Sequence, residues 1–163
     1  MNQQVKTDVF PTPDWLFDAL NKRYSFSLDP CALPENAKCK KYFTPEDDGL
    51  KQDWSNHIVF MNPPYNRYEL PKWVAKAAEN RAGITVALLP AKTDTKWFHD
   101  IVLKTASYIY FIKGRLKFGG NYHASFGSMV VVWVNHMIQV QKANHVPELR
   151  VTNIHKEKRN ELL

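Results

Sequence analysis

Eight residues decide the fold of this chain: IVFMNPPY, at positions 58–65. The first four are apolar without a break, which is typical of a strand buried in a parallel sheet. The two prolines end that strand, because neither has an N–H for the ladder and both fix φ near about −65°. Asn62 and Tyr65 are therefore expected on a stiff turn at the carboxyl end of a strand, where open α/β sheets bind their ligands.

This turn brings together three groups that suit a flat ring bearing an exocyclic NH2 group. The amide oxygen of Asn62 and the backbone carbonyl of Pro63 can accept its two N–H groups, and the Tyr65 ring can stack on its face. The motif alone leaves a second interpretation open, a purely structural turn at a strand end, since Pro-Pro often marks loops.

Strand and helix patterns alternate around this turn, which predicts a mostly parallel α/β sheet. Thr12 is predicted to cap the first helix. A connection without helical pattern precedes the final strand, so that strand is expected to run antiparallel. The interval after the first strand is too short for an ordinary crossover helix, so a reduced helix is expected there. The predicted elements are helix 13–23, strands 24–28, 40–43 and 58–61, a helix opened by Pro71, strand 84–90, helix 95–105, and strands 107–112 and 128–134.

Length and composition favour one globular domain with a polyanionic partner. The 163 residues are 44% hydrophobic, which suffices for a core, and the net charge of +6 favours a polyanion. No apolar run approaches the ~20 residues of a membrane span, and the first six residues lack a signal-peptide core, so a soluble, cytoplasmic protein is expected. Two cysteines and six histidines show no ligand spacing, so no metal site is expected.

The sequence predicts a single domain at 1–140. Residues 141–163 are predicted to be a basic and polar extension that forms a surface helix or a frayed tail.

Four motifs occur in an order that resembles the small adenine-N6 DNA methyltransferases of the Dam type carried by bacteriophages. They are FPTP at 10–13, LDPCA at 28–32, the acid-rich EDDGLKQDW at 46–54, and NPPY at 62–65; the resemblance extends over residues 8–134. It implies a three-layer, Rossmann-like methyltransferase fold, S-adenosylmethionine as methyl donor, and double-stranded DNA as substrate in the host cytoplasm. One departure stands out: most of these enzymes follow the first acid with Gly-x-Gly, but this chain has no glycine before Gly49.

The resemblance also implies roles for individual residues. In the family the Thr-Pro pair helps to hold the methionine end of the cofactor, and the later acids bind its ribose and adenine. The target adenine must be flipped out of the duplex, which basic and aromatic loop residues would assist. The implied catalytic residues are Asn62, Pro63, Pro64 and Tyr65; the cofactor residues are Phe10, Thr12, Asp29, Pro30, Asp47, Asp48, Asp53 and Asn62; the DNA-binding residues are Asn66, Arg67, Tyr68, Lys92, Lys96, Arg115 and Lys117.

Two alternative functions remain open at this point. RNA-base and protein-glutamine methyltransferases share the Asn-Pro-Pro-Tyr motif, because their acceptors are also planar NH2 groups. A non-catalytic nucleic-acid-binding protein on a methyltransferase scaffold is the other alternative, and the missing Gly-x-Gly is its main support.

Overall fold

A computed structural model describes residues 10–79, 82–119 and 123–135, and the backbone of residues 150–154. Its elements are α1 (Asp14–Tyr24), β1 (Ile58–Met61), α2 (Leu70–Ala78), β2 (Ile84–Pro90), a π-helical turn (Phe98–Val102) that leads into α3 (Leu103–Thr105), β3 (Tyr108–Ile112), β4 (Ser128–Val134) and β5 (Arg150–Ile154).

The five strands form one sheet in the order β1-β2-β4-β3-β5. β1 is parallel to β2, β4 is antiparallel to both β2 and β3, and β5 is parallel to β3. Among the described strands, only β4 therefore runs against the others, which confirms the direction predicted for 128–134. Because β1, β2 and β3 share one direction, their carboxyl ends at Met61, Pro90 and Ile112 lie at the same edge of the sheet.

The core is centred on the two middle strands. All seven residues of β4 and six of the seven in β2 are buried, as expected for strands covered on both faces. Apolar residues of α1 and α2 belong to the same cluster. Trp73, Trp97 and Trp133 are buried in this core, and Trp15 is partly buried against it.

The segment ahead of β1 has less regular structure than its pattern predicts. The predicted strand 24–28 is reduced to one residue, because α1 extends to Tyr24 and only Leu28 pairs with β1, opposite Val59. The predicted strand 40–43 is likewise a single pairing, between Tyr42 and Asp29. The stretch between α1 and β1, all of it described, contains no α-helix, which confirms the reduced helix expected after the first strand.

Two helix predictions need correction. Thr12 does not cap α1: Pro13 occupies the N-cap position without a side-chain cap, and the Thr12 hydroxyl bonds elsewhere. The predicted helix 95–105 begins one residue later, at Lys96, and it includes a π-helical turn at Phe98–Val102 that the pattern did not indicate. The cause of the first error is that the hydroxyl has a more distant partner, which a local capping rule does not consider.

The C-terminal prediction is wrong for residues 150–154. They form β5, an edge strand in register with β3 from Tyr108↔Arg150 to Ile112↔Ile154, instead of a surface helix or a frayed tail. A domain boundary at 140 therefore does not fit this stretch, which belongs to the same sheet. The remainder of the predicted extension, 141–149 and 155–163, lies outside the described residues.

Candidate active site

Asn62 is held at the carboxyl end of β1 by the segment that precedes α1. Its Nδ2 donates to the carbonyl oxygen of Phe10 at 2.5 Å and to the hydroxyl of Thr12 at 2.9 Å. Its Oδ1 is buried and has no hydrogen-bond partner among the described residues. A buried amide oxygen without a partner is costly, so this atom is the natural acceptor for an N–H group of a ligand.

Tyr65 is buried, with 7% of its surface exposed. Its hydroxyl donates to the carbonyl oxygen of Leu88 at 3.0 Å, and burial raises the pKa of this phenol well above its usual value. The Phe10 ring stacks on it with centroids 5.3 Å apart, and Phe118 and Phe126 approach it edge-on. The face expected to receive a planar substrate is therefore covered by Phe10 in this structure.

A small, solvent-open cavity lies beside Asn62. It unites four residues implied by the resemblance, Phe10, Thr12, Asp29 and Asn62, although they come from separate motifs. Five further lining residues were not predicted as site residues. Pro11, Cys31 and Phe60 belong to quoted motifs but were given no role, whereas Asn36 and Lys38 carry no motif or periodic signal of their own.

Asp29 is the buried acid of this cavity. Its carboxylate accepts the backbone N–H groups of Cys31 at 3.4 Å and Lys38 at 3.2 Å. Burial raises its pKa to about 6, although these N–H groups and the Lys38 charge oppose the rise. The side chain is thus charged at neutral pH and becomes neutral in mildly acidic solution.

Lys38 is the basic residue that lines the same cavity as Asp29. Its ammonium contacts Asp14 at 2.5 Å and lies 5.7 Å from the centre of the Phe17 ring. The Asp14 side chain is largely exposed, so the ion pair is weak and its lysine can exchange partners. The cavity is therefore lined by one acidic and one basic residue, which suits the two charges of an amino-acid zwitterion.

The acids at 47–53 are engaged in their own turn instead of lining the cavity. Asp47 accepts the N–H and hydroxyl of Thr44, and Asp48 pairs with Lys51 at 2.8 Å. Thr44 lowers the pKa of Asp47, and Lys51 lowers that of Asp48. Asp53 accepts the N–H of Ser55 at 2.9 Å.

Gly49 nevertheless holds this turn against the loop that follows Asp29. A Cβ atom at Gly49 would lie 1.9 Å from the carbonyl oxygen of Pro30 and 3.1 Å from the Trp73 ring. Only glycine permits this approach. The one glycine ahead of β1 therefore serves the contact between the two loops.

The residues expected to bind DNA follow β1, β2 and β3 at the edge where Asn62 lies. The Asn66 side chain accepts the N–H groups of Tyr68 and Glu69, so it organises the start of α2. Arg67 lies over the Tyr68 ring, 4.6 Å from its centre, and donates to its hydroxyl. The side chains at Lys92, Lys96, Arg115 and Lys117 are exposed.

The described residues form neither a candidate metal site nor a membrane-spanning helix. They contain no group of three His, Cys, Asp or Glu side chains arranged for a metal ion. No helix in the same ranges is both long and apolar enough to cross a membrane. Cys31 and Cys39 are free thiols, and burial raises the pKa of both, that of Cys39 to about 12.

Comparison with known proteins places these features in one family. The profile of DNA N-6-adenine-methyltransferase (Dam) matches residues 2–159. A DNA N-6-adenine-methyltransferase of Haemophilus phage HP1 is 34% identical over 119 residues, covering 70% of this chain and 68% of the phage protein. The enzyme of the same name from Escherichia phage T1 is 33% identical over 131 residues, 77% of this chain but only 54% of that protein.

A solved structure supports the fold. A Pyrococcus horikoshii protein named as a candidate RNA methyltransferase superposes with a TM-score of 0.57 over 82% of this chain and 90% of its own, at 14% identity. At that identity the likeness shows the fold alone, a Rossmann-like methyltransferase sheet. With the family profile spanning nearly the whole sequence, the chain belongs to the DNA N-6-adenine-methyltransferase (Dam) family.

Proposed function

We propose that this chain transfers a methyl group from S-adenosylmethionine to N6 of an adenine flipped out of duplex DNA, and that Asn62, Pro63, Pro64 and Tyr65 form the catalytic turn. The observation that carries the proposal is the Oδ1 atom of Asn62, buried and without a partner among the described residues. Membership of the family indicates adenine in DNA as the substrate. The Asn62 Oδ1 atom is a hydrogen-bond acceptor for the amino group of that adenine.

For methyl transfer, the protein needs to provide hydrogen-bond acceptors for the amino group and to align the reacting atoms. The N6 lone pair of adenine is delocalised into the ring, so the nitrogen is a poor nucleophile. Acceptance of its two N–H groups by Asn62 Oδ1 and the Pro63 carbonyl draws the nitrogen toward tetrahedral geometry and offsets the developing positive charge. S-adenosylmethionine, when bound, supplies a methyl group already activated by its sulfonium. The stiff Pro-Pro turn then serves to hold the amino group in line for attack.

The cavity beside Asn62 suits the methionine end of the cofactor. Its two charged side chains, Asp29 and Lys38, complement an ammonium and a carboxylate, while Phe10 and Thr12 contribute to its wall. Pro30 lies in the adjoining loop. We assign the ribose and adenine ends to the acid turn, with ligands among Asp47, Asp48 and Asp53, which would exchange bonds within their own turn for bonds to the cofactor.

Base entry requires movement of the Phe10 ring. Stacking of a purine on Tyr65 needs the face that this ring covers, whereas Phe118 and Phe126 meet Tyr65 edge-on and can remain as walls. Rotation about the Phe10 side chain can expose the face while its carbonyl stays bonded to Asn62. On this proposal, the base site is closed while Phe10 stacks on Tyr65 and opens when that ring moves away.

We assign duplex DNA to the edge of the sheet where β1, β2 and β3 end. Its exposed cations would contact phosphates, and this reaction would take place in the cytoplasm of the phage host. Asn66, Arg67 and Tyr68 contribute from the turn after Asn-Pro-Pro-Tyr, Lys92 and Lys96 from the loop after β2, and Arg115 and Lys117 from the loop after β3.

The decisive experiment offers the protein a choice of acceptors. Labelled S-adenosylmethionine is incubated with the chain and unmethylated duplex DNA, RNA or protein, with Asn62→Ala as control. We expect label in DNA only, recovered as N6-methyladenine after digestion. Label confined to RNA or to glutamine would contradict the proposal. Absence of cofactor binding by calorimetry would favour a non-catalytic DNA-binding protein.

A further inference from the structure

The segment before α1 contacts the catalytic amide across a long stretch of sequence. The Phe10 carbonyl and the Thr12 hydroxyl, 52 and 50 residues away along the chain, accept both N–H groups of Asn62. Thr12 is buried, with 6% of its surface exposed. The sequence resemblance implied that Thr12 contacts the cofactor. Its hydrogen bond to Asn62 is a separate contact, and cofactor binding does not explain it.

The Phe10 carbonyl decides which way the amide faces, and the Thr12 hydroxyl fixes the amide in that orientation. The oxygen and nitrogen ends of an asparagine are nearly equal in shape, so hydrogen-bond partners choose the orientation. A carbonyl can only accept, and a flipped amide would place Asn62 Oδ1 against the oxygen of Phe10. The Thr12 hydroxyl holds the second N–H and stops the group from rotating, which leaves Oδ1 as the end without a partner among the described residues.

The backbone of this segment is stiff enough for such a task. Pro11 and Pro13 flank Thr12, so φ is restricted at both neighbours and Thr12 itself is biased toward an extended conformation. An acceptor pair on a rigid segment orients its partner with little entropic cost at the moment of reaction.

We propose that Thr12 is a positioning residue: together with the Phe10 carbonyl it orients the Asn62 amide so that Oδ1 faces the amino group to be methylated. This inference rests on the proposed function. It separates the role of Thr12 from cofactor binding, because the hydroxyl acts on the amide and not on the methyl donor.

NMR of the Asn62 side-chain amide tests the orientation without any turnover. The two N–H resonances are assigned by their loss in Asn62→Ala. In Thr12→Val one of them is expected to move upfield and exchange faster with water, and in Thr12→Ser it is expected to return. Unchanged resonances in Thr12→Val would overturn the inference. The remaining amide spectrum reports folding, and Thr12→Ala offers a second variant without the hydroxyl.

Kinetics then test whether the orientation matters. Thr12→Val is expected to lower kcat by roughly three- to tenfold, the range for one hydrogen bond at a reacting group, with the Kd for S-adenosylmethionine within about twofold of wild type. Thr12→Ser should restore kcat. An unchanged kcat, or a Kd weakened tenfold with kcat intact at saturating cofactor, would overturn the positioning role.

A matched control and the wild type separate the possible failures. The Thr105 hydroxyl also accepts an N–H, from the Trp133 indole at 2.9 Å, but it lies at the end of α3, so Thr105→Val should change neither the Asn62 resonances nor kcat. If the wild-type chain methylates no DNA, the proposed function fails, while the NMR comparison still decides whether Thr12 orients the amide.

Discussion

At the scale of single residues, the site depends on polar atoms whose partners are incomplete or unusual. Asn62 has both N–H groups bonded and its oxygen unpaired among the described residues, while Asp29 keeps a carboxylate in a buried position. Such groups cost folding free energy and are retained where function needs them. Three predictions belong to this scale.

Replacement of the Asn62 amide should abolish methyl transfer but leave the affinity for the cofactor nearly unchanged. Asn62→Ala removes the acceptor for the amino group, so we expect kcat to fall on the order of 100-fold or more, with the Kd for S-adenosylmethionine within a few-fold of wild type by calorimetry. Asn21→Ala is the matched control: its amide oxygen accepts the N–H of Phe26 after the end of α1, so its loss should cost about 1 kcal/mol of unfolding free energy without abolishing transfer. Activity near the parent level in Asn62→Ala would refute the role of the amide.

The ring of Tyr65 and its hydroxyl should have separable effects. Tyr65→Phe loses the bond to the Leu88 carbonyl, so we expect a loss of about 1 kcal/mol in unfolding free energy and a kcat within a few-fold of wild type. Tyr65→Ala removes the stacking face and should weaken transfer more than Tyr65→Trp, which retains one. Equal activity of the Ala and Trp variants, compared by steady-state kinetics, would rule out stacking on this ring.

Cofactor affinity should depend on pH through Asp29. Its pKa of about 6 lies above the ordinary 3.8 because of burial, so the carboxylate that attracts the cofactor ammonium is protonated as the pH falls through 6. Calorimetry is expected to show binding of S-adenosylmethionine weakening below pH 6. Asp29→Asn should bind more weakly than wild type at neutral pH and about as weakly as wild type at pH 5, with the pH dependence in this window lost. A wild-type affinity that is flat between pH 5 and 7 would contradict this assignment.

The same pKa affects stability with the opposite sign from a usual acid. Because the folded state has the higher pKa, it binds more protons than the unfolded state between pH 3.8 and about 6. The contribution of Asp29 to the unfolding free energy is therefore greatest in acid and is lost as the pH rises through this window. Burial of this charge at neutral pH is a local cost that cofactor binding can offset.

At the scale of elements, the site is made where loops after different strands are brought into contact. The acid turn packs on the loop after Asp29 through Gly49, and the segment before α1 packs on the turn after β1 through Phe10. None of these loops has regular structure that could position it alone. Close contacts between them therefore take the place of helix and strand geometry.

Gly49→Ala should disrupt this contact. The added Cβ would lie 1.9 Å from the Pro30 carbonyl, so one of the two loops must shift, and we expect a loss of about 1–3 kcal/mol in unfolding free energy together with weaker cofactor binding. Gly114→Ala is the control, because φ there is +81° but no atom lies within 4 Å of the new Cβ. That variant is strained by about 1–2 kcal/mol and should keep its cofactor affinity. Unaltered affinity in Gly49→Ala would show that the packing of these loops does not shape the cofactor site.

At the scale of the whole molecule, the parallel strands decide which loops meet a substrate. β1, β2 and β3 run in one direction, so the loops that carry Arg67, Lys92 and Arg115 start at one edge, beside Asn62. With a net charge of +6, this arrangement favours a polyanion docked across that edge. Each phosphate that such a cation neutralises releases counterions and makes binding depend on salt.

The salt dependence of DNA binding should show which cations at this edge of the sheet contact phosphates. Lys92→Gln and Arg115→Gln are each expected to reduce the slope of log K against log salt by about 0.9 for each phosphate that the variant no longer neutralises, measured by fluorescence anisotropy with duplex DNA. Lys22→Gln removes the same charge from the last turn of α1, which leads toward the amino end of β1, so it should leave the slope unchanged. Equal effects of all three variants would show that only net charge matters.

Much of the sheet could be predicted because it depends on local patterns. The apolar run before Asn-Pro-Pro, the run ending at Pro90 and the run at 128–134 all became strands with the expected bounds. Buried strands combine continuous apolar residues with sharp stops, and both features lie within a few neighbouring residues. The short connection to 128–134 was likewise sufficient to predict an antiparallel strand.

The sequence alone was enough to predict strands β1 to β4, the turn with its Asn-Pro-Pro-Tyr chemistry, and the order of motifs that points to the Dam family. Only the tertiary structure decided that Thr12 bonds to Asn62 instead of capping α1, that Phe10 covers Tyr65, that Lys38 shares a cavity with Asp29, and that residues 150–154 form an edge strand. The physical reason is distance along the chain: hydrogen bonds and ring contacts between residues about 50 positions apart depend on how the sheet brings them together, and no local pattern records that.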